Sequence, residues 1–230
     1  METTAEQKKQ GFFSKLFHRQ PMDRHPLDKD NMIRTIEEMP QQIQQMITIV
    51  GNFTIKNTYD AYIFAGMGGS AAPVEIFKSY AHSQGLNKPI FIVRDYELPP
   101  LPSNALVFVM SYSGNTEEAI SVLRSARKEE YDVVIVAAGG RLAETARIHH
   151  IPHIMLPLGL QPRQATAYFF FTLLRIFENA KLLPSQEKFT SDTTQALQKE
   201  IYEDMAQQLA ETLINKVPVI YATERYRGVA

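Results

Sequence analysis

Residues 105–137 read ALVFVMSYSGNTEEAISVLRSARKEEYDVVIVA, and this stretch decides the fold. Ala105 to Met110 and Val133 to Ala137 are short, continuous apolar runs of strand length. Between them lie a hydroxyl-rich loop, Ser111 to Thr116, and an amphipathic helical stretch that opens with Glu117 and Glu118. Strands that are apolar throughout are buried on both faces, and two of them joined by a helix run parallel.

The same alternation extends outward. Ala61 to Ala65, Ile90 to Val93 and His153 to Leu156 are further strand-like runs, and amphipathic stretches follow the first, third and fourth of the five. The expected class is α/β, a parallel sheet flanked by helices in three αβα layers. Upstream, Met32, Ile33, Ile36, Met39, Ile43, Met46, Ile47 and Val50 recur at helical spacing, read as core packing, with Pro40 as a kink or break. Downstream, a long apolar helix is expected from Pro162 to about Ala180, closed by Pro184, and a second from about Thr190 to Asn215. Val217 to Ala222 reads as a new strand whose apolar side chains would be exposed for want of a sheet. Near the start, Phe12, Phe13, Leu16 and Phe17 would line one face of a short helix in a polar extension.

Composition removes several classes of function. Lys and Arg nearly balance Asp and Glu, leaving a net charge of -1, so no global field recruits nucleic acid or an anionic membrane. Any anion must be captured locally. Without cysteine there are no disulfides, thiol nucleophiles or zinc–cysteine sites, and the cytoplasm is the expected compartment. The apolar stretches are strand-sized or interrupted by charge, so neither a membrane span nor a secretory segment is expected.

In open α/β folds, ligands bind beyond the carboxyl ends of the strands, where helix N-termini present free N–H groups. Two junctions suit an anion. Gly66-Met67-Gly68-Gly69-Ser70 follows the first strand, and its glycines permit tight turning and close backbone approach. Ser111-Tyr112-Ser113-Gly114-Asn115-Thr116 follows the third, with three hydroxyls around a glycine at a helix start. The plainer reading is that Ser113 or Asn115 simply caps that helix. Gly66, Gly68 and Ala71, with Asp95 after the next strand, also fit a dinucleotide fingerprint, which leaves the second loop unexplained. Arg163, at a helix start where the dipole disfavours a cation, either serves a ligand or is an exposed arginine that is solvated or paired with a carboxylate. His149, His150 and His153 flank a loop without a carboxylate at ligand spacing and read as surface or strand-edge residues.

At these residues the sequence resembles the sugar isomerase (SIS) domain, and within it the bifunctional phosphoglucose/phosphomannose isomerase family. The resemblance rests on Gly66 to Ser70, Ser111 to Glu118, Gly139-Gly140-Arg141-Leu142 and Pro162-Arg163-Gln164-Ala165, and covers roughly Leu27 to Arg225. It implies two SIS domains in tandem, a homodimer, and interconversion of glucose 6-phosphate or mannose 6-phosphate with fructose 6-phosphate through a cis-enediolate, without metal or redox cofactor. The organisation it suggests is an N-terminal extension (1–27), leading helices (28–58), a first SIS domain (59–182), a connecting helix (183–216) and the start of a truncated second SIS domain (217–230). It assigns Ser111, Ser113 and Thr116 to the sugar phosphate, Gly69 and Ser70 to the sugar, and Arg163 to the enediolate charge. The family's catalytic glutamate and ring-opening histidine belong to the second domain and find no match here, Glu224 included. Two other classes stay open: a non-catalytic sugar-phosphate-binding regulatory module, and a nicotinamide-dependent oxidoreductase domain.

Overall fold

The computed structural model describes residues 28–198, 201–223 and 226–229. Five strands among them form one wholly parallel sheet: β1 (Ala61–Ala65), β2 (Ile90–Val93), β3 (Ala105–Ser111), β4 (Asp132–Ala137) and β5 (His153–Met155). Their spatial order is β2-β1-β3-β4-β5. The chain winds outward from β1 to β2 in one direction and from β3 through β4 to β5 in the other. The direction of winding therefore reverses between β1 and β3.

Alternation along the strands sorts side chains onto two unlike faces. Tyr62 and Phe64 of β1, with Leu106, Phe108 and Met110 of β3, face an aromatic core. Above it lie α2 (Met39–Val50), α3 (Ala72–Ser83) and α6 (Thr166–Asn179), which contribute Ile43, Met46, Phe77, Phe169 and Phe177. Ala61, Ile63, Val107, Val109 and Ile135 face the other way, against α4 (Glu117–Lys128) and α5 (Gly140–Ile148). Helices on both faces make the three αβα layers expected from the continuous apolar strands.

The chain divides into two compact units, Met1–Ile36 and Glu37–Ala230. In the first, the Asp28 carboxylate accepts the N–H groups of Met32 (2.7 Å) and Ile33 (3.0 Å), which caps α1 (Met32–Glu37). Pro40 breaks the early helical stretch as expected, because it occupies the first turn of α2, where its missing N–H costs nothing. Ile43 and Met46 are core residues, while Met32 and Ile36 are exposed. The aromatic N-terminal segment lies outside the described residues.

Three expectations are corrected. Pro162 opens a separate 3₁₀ turn, Pro162–Gln164, and α6 starts only at Thr166. The reason is local: the Gln161 and Gln164 side chains form a reciprocal capping box that closes the short turn. The expected helix from Thr190 to Asn215 is instead two helices, α7 (Glu187–Ala196) and α8 (Ile201–Leu213), with Met205 and Leu209 exposed on α8. Residues 217–222 form no strand, because a strand needs a neighbour's N–H and C=O groups and none is paired with them. Their apolar side chains stand in solvent, Val217 at 89% and Tyr221 at 92% exposure. No helix among the described residues is long and apolar enough to cross a membrane.

Phe177 joins the aromatic core together, with ring centroids 4.7 Å from Tyr62, 4.9 Å from Phe77 and 6.0 Å from Phe108. Replacing it by alanine is expected to cost about 3–5 kcal/mol in chemical denaturation. A loss below about 1 kcal/mol would show that this core collapses around the missing ring.

Candidate functional site

The chain leaves the carboxyl ends of β1 and β3 toward helices on opposite faces of the sheet, and the loops after both strands meet where the winding reverses. Ser111 is the last residue of β3 and is buried, Thr116 is half-buried, and Ser113 is exposed. The Ser111 Oγ lies 2.8 Å from Thr116 Oγ1 and 3.4 Å from Ser113 Oγ, and it accepts the Gly114 N–H at 3.1 Å. Three hydroxyls thus converge around one turn.

Neither Ser113 nor Asn115 caps α4, contrary to the plainer sequence reading. The Ser113 hydroxyl accepts the Asn115 N–H at 3.2 Å, and the Asn115 Oδ1 accepts the Arg141 N–H at 3.0 Å. Thr116 occupies the N-cap position, yet its side chain makes no capping bond to the helix and turns to Ser111 instead. The first turn of α4 is therefore not answered by a capping side chain, which leaves a partial positive charge and donor groups beside the hydroxyls. Glu117 and Glu118 follow immediately; the charge on Glu118, and then that on Glu117, raises the Tyr96 phenol above its usual range.

Two glycines hold this turn against α5. Gly114 has φ +66°, and a Cβ there would lie 1.8 Å from the Gly139 carbonyl oxygen. Gly140 has φ +65°, and a Cβ there would lie 2.4 Å from the Ser113 oxygen. The Gly114 carbonyl accepts the Leu142 N–H at 2.9 Å, so the start of α5 supports the loop from behind.

Ser70 is buried, and its Oγ accepts the Tyr112 N–H at 3.1 Å, which ties the first glycine-rich loop to the hydroxyl loop. Gly69 lies against the turn that carries Arg163: a Cβ on Gly69 would sit 2.7 Å from both the N and Cα of Arg163. Gly69, Ser70, Ser111, Ser113 and Thr116 are therefore brought into one connected cluster, with the Arg163 backbone packed at its edge. His149 and His150 are exposed beyond α5, and the half-buried His153 ring contacts the Ile151 carbonyl at 3.0 Å.

A bifunctional phosphoglucose/phosphomannose isomerase of Caldicellulosiruptor bescii is 31% identical over 218 residues, which is 86% of this chain and 64% of that protein. One from Thermoplasma volcanium is 32% identical over 75% of this chain and 54% of its own length. Over most of its length the chain is thus similar to bifunctional phosphoglucose/phosphomannose isomerases. It spans 64% and 54% of the lengths of these two curated relatives. A more distant relative, a D-glucosamine-6-phosphate 4-epimerase of Sulfolobus acidocaldarius, is 27% identical over 73% of this chain and 53% of its own. No family model matches the chain. Among solved structures, the C-terminal domain of glucosamine-fructose-6-phosphate aminotransferase from Francisella tularensis aligns with a TM-score of 0.52 at 16% identity, over 74% of this chain and 54% of that one. The fold is that of SIS domains.

The loop hydroxyls stand out in the sequence, whereas Tyr112 between them does not. The signal was present in the period of two: Tyr112 shares the strand face of Phe108 and Met110, opposite to Ser111. The contact of Gly114 with Gly139 had no signal along the chain, because it joins two separate turns.

Gly114→Ala is expected to lower stability well beyond the cost of its positive φ, which is about 1–2 kcal/mol. Gly68→Ala is the control, since Gly68 also has positive φ, +50°, but open space at its Cβ position. Equal melting temperatures for the two variants would mean that the Gly139 contact imposes no constraint.

Proposed function

We propose that this chain binds a hexose 6-phosphate and belongs to an enzyme that interconverts glucose 6-phosphate or mannose 6-phosphate with fructose 6-phosphate. The observation that carries the proposal is the convergence of the Ser111, Ser113 and Thr116 hydroxyls beside the uncapped start of α4. Each hydroxyl can donate to a phosphate oxygen, and the helix end adds backbone donors and a favourable dipole. Residues 59–182 would act as the SIS domain, with 217–230 leading into a second.

Aldose–ketose isomerisation moves a proton between C1 and C2 through an enediolate, whose oxygens gather negative charge. Arg163, on the turn packed against Gly69, is proposed to hold that charge, a contribution worth about 10²- to 10³-fold in rate. Gly69 and Ser70 would contact the sugar. The proton-transferring base and the ring-opening group are assigned to no residue of this chain, and would come from the share of the relatives' length that it does not span. Relatives named for 6-phosphorylated hexoses and a hexosamine 6-phosphate support the substrate class.

Calorimetry with glucose 6-phosphate, mannose 6-phosphate and the parent hexoses tests this reading. Ser111→Ala, Ser113→Ala and Thr116→Ala should each weaken the phosphate esters roughly tenfold, since hydrogen bonds to a charged group are lost. Esters that bind no better than the free sugars would sink the proposal. Enhancement of NADH fluorescence would favour a nicotinamide domain. In a chain extended to the relatives' full length, Arg163→Gln should lower kcat about a hundredfold, whereas a binding-only module would show no turnover to lose.

A further inference from the structure

Tyr112 sits between two serines of the hydroxyl loop, yet its ring is buried at 5% exposure on the opposite face of β3. Its four polar contacts reach three other segments, the first being the loop after β4, where the Tyr112 carbonyl accepts the Ala138 N–H at 3.0 Å. The backbone N–H donates to Ser70 Oγ at 3.1 Å, in the loop after β1. The phenol donates to the Pro157 carbonyl at 2.6 Å and accepts the Leu160 N–H at 3.0 Å, in the segment that leads to the Arg163 turn. That segment returns to its starting point, because the Arg163 backbone packs on Gly69, the neighbour of Ser70.

These contacts form a closed circuit. It runs from Tyr112 to Leu160, along the chain to Arg163, across to Gly69 and Ser70, and back to Tyr112. Shifting the Arg163 turn relative to the hydroxyls requires breaking a phenol hydrogen bond or opening the Gly69 contact. Burial raises the phenol's pKa, against a smaller opposing effect of the Leu160 N–H, so the hydroxyl keeps the proton that it donates to Pro157.

We propose that Tyr112 is a positioning residue that sets the separation between the phosphate-gripping hydroxyls and Arg163, and so selects the length of the phosphorylated carbon chain. This rests on the sugar-phosphate reading given above. A ligand with an anionic group at each end feels that separation. Inorganic phosphate, which occupies one end, does not.

The test uses three probes on the full chain: inorganic phosphate, 5-phospho-D-arabinonate and 4-phospho-D-erythronate, one carbon shorter. The carboxylate of each sugar acid stands in for the enediolate. Wild type should prefer the five-carbon acid over the four-carbon acid and over phosphate. Tyr112→Phe should leave phosphate affinity within about twofold and reduce the five-over-four preference roughly tenfold, as expected for loss of the phenol's two hydrogen bonds. Combined with Arg163→Gln it should add nothing, because both substitutions remove the same separation-dependent term. In the unliganded protein, amide exchange at Leu160 should speed up in Tyr112→Phe while exchange in β3 and β4 stays unchanged. Uniform weakening of all three probes, an unchanged five-over-four preference, losses additive with Arg163→Gln, or unaltered exchange at Leu160 would each overturn the positioning role alone. Failure of wild type to bind any of the three would overturn the sugar-phosphate reading and this proposal with it.

Discussion

The burial of one parallel sheet on both faces is the constraint from which the rest of the molecule follows. A parallel neighbour can be reached only by a crossover, and a crossover that also covers a sheet face is a helix. Every strand therefore ends on the same edge, and after β1, β3 and β4 a loop there turns the chain into a helix. Reversal of the winding between β1 and β3 then opens a crevice between two such loops. The aromatic side, with Tyr62, Phe64, Phe108 and Phe177, and the leaner aliphatic side under α4 and α5 give the sheet two unlike supports. The site is built where that rigid sheet ends.

The chemistry of the crevice is that of neutral donors. Hydroxyls and backbone N–H groups surround the turn at Gly114, and their arrangement is imposed by glycines that let one backbone touch another. On the proposed reading, a cradle of this kind would grip an anion by geometry more than by net charge. Glu117 and Glu118 beside it would oppose an anion, so the proposed reading requires shape and hydrogen bonding to outweigh local repulsion. Because α4 lacks a side-chain cap, the Thr116 hydroxyl, which could have served its own helix, instead joins Ser111 and Ser113.

Legibility in the sequence differed from element to element. The inner strands β1, β3 and β4 were plain, because double-sided burial leaves a continuous apolar run that needs no tertiary knowledge to recognise. The hydroxyl loop was equally plain in composition, but its alternative as a helix cap could be settled only by hydrogen-bond partners. Pro162 misled in a minor way: proline at a helix start is common, yet the capping box of Gln161 and Gln164 made a separate 3₁₀ turn and set α6 back to Thr166. Val217 to Ala222 has the composition of a strand, and composition is not pairing.

From its own sequence the chain determined its class, its five strands, the two loops that carry polar chemistry, and a family resemblance resting on short motifs. These are local properties, written in the period of the apolar residues and in the placement of glycine and serine. Tertiary structure alone decided that Ser70 ties to Tyr112, that Gly114 packs on Gly139, that Gly69 packs on the Arg163 turn, and that the Tyr112 phenol reaches Leu160. Each joins residues that are 25 to 94 positions apart in the sequence. A contact of that kind depends on the path of the whole sheet, and no periodicity along the chain encodes it.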